Sequence, residues 1–320
     1  MKPLLILTGP TAVGKTKLSL GLARAVKGEI ISADSMQVYR KMDIGSAKIR
    51  PDQMEGICHH LIDVLDPAQA FDVVRFQQMA KEAMEQIWKR NHIPILTGGT
   101  GFYIQSVLYD IDFTSHGEDC GLRRELEEIA RREGAPKLHR MLKERDPDAA
   151  AQIHPHNVRR VIRALEYHQQ TGKQISAHNR EQRERKSPYR YLYFVLNEPR
   201  ELLYQKIEQR VEQMMEEGLA AEVETLYKEG YTRGMTSMQG LGYKELLSWL
   251  EGEISLEEAV RILKRDTRHF AKRQLTWFRR ERDVIWIQRD QYRSDEDAML
   301  RDMLEILRER KIIPAACETV

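Results

Sequence analysis

The stretch that decides the fold is "LLILTGPTAVGKTKLSL", residues 4–20, and its centre is "GPTAVGKT", Gly9 to Thr16. The apolar run Leu4 to Leu7 predicts a short buried strand, and the residues from Lys15 to about Val26 predict a helix. Between them stands the spacing G-x-x-x-x-G-K-[ST], in the strand-to-helix context that makes it a phosphate cradle. The glycines let backbone N–H groups turn toward one anion, and the helix start adds partial positive charge. Gly9, Pro10, Thr11, Ala12, Val13 and Gly14 therefore form a diphosphate-binding loop. Lys15 adds a point charge for the outer oxygens, and the Thr16 hydroxyl suits Mg²⁺. The cradle does not name its ligand. A nucleoside triphosphate and any other diphosphate satisfy the same geometry.

Outward from the loop, strands alternate with helices. "EIISAD" (Glu29 to Asp34) reads as a strand ending on a carboxylate, and "HHLIDV" (His59 to Val64) as another. "VVRFQQMAKEAMEQIWKR" has helix-period apolar positions at Phe76, Met79, Ala80, Ala83, Met84 and Ile87. "IPILTGGTGFY" is a strand, a glycine turn and a helix start. The pattern predicts an α/β fold: a P-loop NTPase-like parallel sheet flanked by helices, with functional loops at the strand carboxyl ends. After Asp112 the strand signal stops, and Leu122 to about Gln170 reads as charged amphipathic helices. "REQRERKSP" (Arg180 to Pro188) reads as a polar linker, and "YLYFVLN" (Tyr191 to Asn197) returns to strand. Residues 114–188 are thus expected to be an all-helical insertion in a discontinuous core of residues 1–113 and 189–315. Further helices are expected over 200–217, over 219–228 and from Ser255, where Ser255 and Glu258 have capping-box spacing. "DVIWI" (Asp283 to Ile287) reads as a last strand, and the terminal "PAACETV" as frayed.

The 320 residues are 41% hydrophobic and 31% charged, ordinary for a globular chain, and no apolar run approaches the ~20 residues of a membrane span. Three separated cysteines, Cys58, Cys120 and Cys317, form no CxxC pair and suit a reducing cytoplasm. Six of ten histidines fall between residues 116 and 178, but "HPH" (His154 to His156) lacks the i, i+4 spacing of a zinc helix. Net charge is only +2, yet Arg261 to Arg282 holds nine Lys/Arg against two Asp/Glu. The segment 114–188 holds sixteen against twelve. Such asymmetry is a footprint of polyanion binding, and its plain counterpart is a solvated helix face.

Asp34 should share the rim of the cradle, where a carboxylate can take a proton beside a bound diphosphate. A cap for the following turn is the simpler role for it. Ser35 and Gln37 offer a hydroxyl and an amide suited to a purine edge, and "TGGTG" (Thr97 to Gly101) should reach the same rim. The strand-end aspartate that ATPases use for metal is missing after "IPIL", although Asp63 in "HLID" is a rival. A strand-edge or packing role suits His59 and His60 better than catalysis.

"GPTAVGKT", "ISADSMQVYRKMDIGSAK", "HHLIDV", "LTGGTGFY", "NVRRVIRALE", "GLGYKEL" and "AKRQLTWFRR" stand in the order found in the tRNA dimethylallyltransferases. The resemblance runs from about residue 4 to about 288. It implies that the cradle holds dimethylallyl diphosphate, with Mg²⁺, and that the prenyl group passes to N6 of the adenosine beside the anticodon, position 37. Asp34 falls on the family's catalytic aspartate, together with Ser35, Met36 and Gln37 around the base. Thr100 falls on the threonine at the mouth of the adenine channel, and Arg210 resembles an arginine that helps bind diphosphate. Arg123 and the run Arg159, Arg160, Val161, Ile162 and Arg163 fall on tRNA-contacting positions, and Lys272 and Arg273 of the basic helix would add backbone contacts. Cys58 stands where the family often has proline. The family's properties imply a cytoplasmic monomer acting on the anticodon stem-loop. A kinase on the same fold, a prenyltransferase for free adenylate and an RNA-binding ATPase switch are the rival readings. The first and second leave the basic segments unexplained.

Overall fold

The computed structural model describes residues 1–113, 120–293 and 295–314. Residues 114–119, where the insertion was expected to begin, and residues 315–320, including Cys317, lie outside the described residues, as does His116. The chain runs β1 (Pro3–Thr8), α1 (Lys15–Val26), β2 (Gly28–Ser32), β3 (His59–His60), α2 (Val73–Lys89), β4 (Ile93–Gly98) and α3 (Gly101–Leu108). Five helices follow: α4 (Cys120–Glu133), α5 (Ala135–Arg145), α6 (Pro147–Gln152), α7 (Val158–Thr171) and α8 (Ile175–Glu184). Then come β5 (Arg190–Asn197), α9 (Arg200–Glu216), α10 (Leu219–Lys228), α11 (Tyr243–Leu250), α12 (Leu256–Phe278), β6 (Val284–Gln288) and α13 (Glu296–Glu309).

All six strands join one parallel sheet in the order β3-β2-β4-β1-β5-β6. Leu4 to Leu7 are fully buried, as a strand covered on both faces requires. β1 lies in the middle, between β4 and β5, so the loop that leaves it opens where the winding of the sheet reverses. In open parallel sheets ligands bind in that crevice, outside the strand carboxyl ends.

Two expectations need correction. "HHLIDV" supplies only the two-residue β3, because Leu61 (φ 62°) and Asp63 (φ 55°) adopt left-handed backbone that ends the pairing. "REQRERKSP" is helical as far as Glu184, which extends α8 into the expected linker.

The chain divides into two compact units, Met1–Leu108 with Pro188–Val320 and Tyr109–Ser187. In the first, Leu5, Leu7, Leu18, Leu22, Phe194 and Met303 belong to a core that covers one face of the sheet. The second has its own core, built from Leu126, Leu138, Leu142, Val161, Ile162 and Leu165 on α4, α5 and α7. No described helix is long and apolar enough to cross a membrane.

Candidate active site

The cradle is shaped by backbone that few residues tolerate. Gly9 has φ 148°, Ala12 φ 64° and Gly14 φ 91°, and Gly14 caps the start of α1. Gly14 is needed there for its φ, and a Cβ on it would lie 2.8 Å from Nη1 of Arg289, at the end of a side chain that would have to shift. Lys15 Nζ donates to the carbonyls of Gly9 (3.0 Å) and Pro10 (2.8 Å), folding back over the loop. Burial, and then the Arg210 guanidinium, push the Lys15 ammonium down to about 7, while Asp34 pulls it back up. Burial likewise lowers Arg210 of α9, against the same pull from Asp34. Three residues far apart in sequence therefore share one electrostatic neighbourhood at the strand carboxyl ends.

Asp34 follows β2. Its Oδ1 accepts from the backbone N–H of Met36 (2.8 Å) and Gln37 (3.4 Å), which makes it the cap of the turn it opens. Oδ2 accepts no hydrogen bond among the described residues. The two roles considered for Asp34 are thus compatible, one oxygen for each. Thr100 sits beside it: its N–H donates to Ala33 O (3.2 Å), and its carbonyl starts α3 by accepting from Tyr103 and Ile104. A Cβ on Gly98 would lie 2.2 Å from Ala33 O, so the close approach of β2 and β4 demands glycine in "TGGTG".

The neighbours of Asp34 are more structural than expected. Gln37 accepts from the Ser32 hydroxyl (2.9 Å) and donates to the carbonyls of Ser46 and Ala47, so its amide braces the loop. Met36 packs its methyl against Gly240, while Ser35 is half-buried. Asp63, the rival metal carboxylate, pairs with buried Lys48 (2.5 Å) beyond the edge strand. "DIG" wraps a carboxylate instead of a ligand, because Asp43, Ile44 and Gly45 N–H groups all donate to Glu222, as does Tyr243 Oη (2.7 Å).

In the helical unit Arg159, Arg160 and Arg163 are exposed on α7. Val161 (0% exposed) and Ile162 (4%), expected among the RNA-contacting residues, are core residues, so their side chains offer RNA no surface. Arg123 closes a two-point fork on the buried Glu166 (2.8 and 2.9 Å). Lys272 and Arg273 are exposed on α12.

α12 also supplies a residue that sequence reasoning missed. Gln274 is buried, its Oε1 accepts from the cradle N–H of Thr11 (2.8 Å), and its Nε2 donates to Gly99 O (2.9 Å). One side chain clips the cradle to the turn after β4. Its signal was a polar residue within the buried stripe Ala271, Gln274, Phe278, a placement that costs free energy unless its hydrogen bonds are made.

The sequence model of the IPP transferase family matches residues 37–281, a span that begins after the cradle and Asp34. A curated tRNA dimethylallyltransferase of Lachnoclostridium phytofermentans is 59% identical over 313 residues, covering 98% of this chain and all of the relative. One from Bacillus licheniformis is 52% identical over 89% of this chain and 90% of its own length. Among solved structures, the full-length tRNA isopentenylpyrophosphate transferase of Bacillus halodurans matches with TM-score 0.73 and 43% identity, over 97% and 98% of the two chains. A eukaryotic dimethylallyltransferase described as acting on tRNA matches with TM-score 0.83 and 30% identity, over 99% and 82%. With a fold, a cradle and near full-length relatives in agreement, the chain belongs to the IPP transferase family of tRNA dimethylallyltransferases.

Proposed function

We propose that the chain transfers a dimethylallyl group from dimethylallyl diphosphate to N6 of the adenosine beside the anticodon in tRNA. The observation that carries this reading is the cradle after β1 with Asp34 on the turn after β2, its Oδ2 accepting no hydrogen bond among the described residues, where the charges of Lys15, Arg210 and Asp34 act on one another. Two cations there suit a leaving diphosphate, and a carboxylate with a free oxygen suits an attacking amine. The N6 lone pair forms the new bond to the allylic carbon as the C–O bond breaks, and the bonding pair leaves with diphosphate. Cradle N–H groups, Lys15 and Arg210 stabilise that developing charge. Asp34 Oδ2 orients the amine and accepts its proton.

The donor set at this mouth fits Mg²⁺. The Thr16 side chain is exposed and its hydroxyl takes no hydrogen bond among the described residues, and hard oxygens are what this ion prefers. Bound by Thr16 and diphosphate oxygens, the ion would neutralise charge on the leaving group. On the RNA side, Arg159, Arg160 and Arg163 of the helical unit and Lys272 and Arg273 of α12 would hold phosphates, offsetting the few kcal/mol needed to unstack the base. We assign the chain to the cytoplasm, where the free Cys58 thiol would stay reduced, and take it to act as a monomer, as its resemblance to the family implies.

Incubation with dimethylallyl diphosphate and bulk tRNA, followed by nucleoside mass analysis, tests the reading. An adenosine heavier by one dimethylallyl group is expected. ATP turnover without prenylated nucleoside would favour the kinase, and prenylated AMP with unmodified tRNA the adenylate enzyme.

A further inference from the structure

The opposite end of β2 holds a cluster that the transfer reaction does not use. Glu29 is buried near the amino end of β2, and β3 lies beside it with Ile30 opposite His59 and Ile31 opposite His60. Cys58 is fixed to the same strand, because its carbonyl accepts from Ile30 N (3.0 Å). Residues two apart on a strand share a face, so Cys58 and His60 project together toward Glu29. Cys58 Sγ lies 3.5 Å from His60 Nε2, which lies 2.7 Å from Glu29 Oε2. All three ligand atoms fall within 4.8 Å of one another.

We propose that Cys58, His60 and Glu29 form a site for a thiophilic divalent cation of the zinc type, with water in the fourth position. Zinc takes thiolate at about 2.3 Å and imidazole or carboxylate at about 2.0–2.2 Å, so the edges of a tetrahedron of such ligands measure about 3.4–3.6 Å. The sulfur–nitrogen edge already has that length. The nitrogen–oxygen edge opens by less than 1 Å as the ion replaces the hydrogen bond. The outer partners are in place as well. Oε1 of Glu29 accepts from Arg90 Nε (2.8 Å) and bonds His92 Nδ1 (2.8 Å), and the His92 contact can stay while Oε2 turns to the ion and the Arg90 fork lets go. Arg90 Nη2, which now holds Oε2 at 2.7 Å, belongs to a half-exposed side chain that can swing into water. A site of this kind is private to chains with cysteine at position 58. Proline at that position would offer no ligand.

Cobalt is the probe, because thiolate-bound Co²⁺ absorbs strongly in the near ultraviolet and its d–d bands report tetrahedral geometry. The reduced, chelator-stripped full chain is titrated with Co²⁺ and then with Zn²⁺. One equivalent should produce both absorptions, and Zn²⁺ should bleach them. Cys58→Ser and Cys58→Pro should lose the thiolate band with unchanged circular dichroism and melting temperature. His92→Ala, which removes only an outer partner, should weaken binding by about 10–100-fold. Absence of a thiolate band in the parent chain, or its persistence in Cys58→Ser through another cysteine, would overturn the site.

Discussion

Asp34 divides its two oxygens between two tasks. Oδ1 holds the turn through Met36 N and Gln37 N, and Oδ2, which accepts no hydrogen bond among the described residues, is the oxygen proposed to meet the substrate. Asp34→Ala removes both functions, whereas Asp34→Asn keeps an acceptor for the turn and loses the proton acceptor. Both variants should lose about 10²–10⁴-fold in turnover, with tRNA affinity largely kept and, for Asn, the fold unperturbed. Single-turnover prenylation at saturating tRNA separates these effects, and near-parental turnover by Asp34→Asn would remove the base from the mechanism. Gln274 is the complementary case, a residue that shapes the cradle without touching the reacting atoms. Truncating it in Gln274→Ala orphans Thr11 N–H and Gly99 O, at a cost of about 1–3 kcal/mol for each group left unpaired. Because the freed segment is the cradle itself, the diphosphate donor should bind roughly tenfold more weakly, or about 1.4 kcal/mol. Calorimetric titration with the donor measures this directly, and an unchanged Kd would mean that the loop keeps its shape unaided.

Helix α12 gives its charge run a sharper meaning. Arg261, Lys264, Arg265 and Arg268 all pair with carboxylates, on Glu258, Glu212, Asp266 and Glu208. Further along, Lys272 and Arg273 on α12 and Arg279 and Arg280 just past its end make no carboxylate pair among the described residues, and Arg273 and Arg280 lie over the rings of Phe270 and Trp277. The solvated-face reading therefore suits the first half and the polyanion reading the second. Each phosphate contact carries about 0.7–0.9 of salt-dependence slope. Replacing all four unpaired residues with alanine should flatten the slope of log K against log salt for tRNA by about 3. Replacing the four paired ones should shift it by less than about 1, and the exposed pairs of Arg261 and Arg265 contribute only about 0–1 kcal/mol each to stability. Equal slopes for the two sets would erase the distinction. This division was not legible in sequence, because the pairing carboxylates on α9 lie 52 and 60 positions away. What could be read was local: the cradle, β1, β2, β4 and β5, α1 and α2, each written in a short apolar period or a glycine spacing. The N-cap at Ser255 was equally legible, although only half of the capping box forms, with Glu258 turned to Arg261. The convergence of Lys15, Arg210 and Asp34 and the clip by Gln274 depend on how the sheet is wound, and no spacing encodes that. Val161 and Ile162 show the converse limit: a motif run read whole does not reveal that its helical period separates exposed arginines from buried side chains.

At the scale of the molecule, the division into two cores sets what a packing defect can reach. Leu142 on α5 is fully buried among Leu126, Leu138, Val161 and Leu165, and no residue of this cluster belongs to the core around the sheet. Leu142→Ala should cost about 2–5 kcal/mol through lost burial and the cavity left behind. A helical unit of this size has a stability in the range where that loss matters, so local opening of 109–187 should rise steeply. Amide exchange should then show protection lost in α4, α5 and α7 while β1, β4 and α1 keep theirs. The functional consequence follows the same line. The cradle, Asp34 and Arg210 all lie in the other unit, so the variant should bind dimethylallyl diphosphate like the parent. It should bind tRNA less well, because Arg159, Arg160 and Arg163 stand on the helix whose inner face has been loosened. Exchange that accelerates equally in β1 and α1 would mean that the two units unfold as one, and weakened donor binding would mean that the cradle depends on the helical unit for its form.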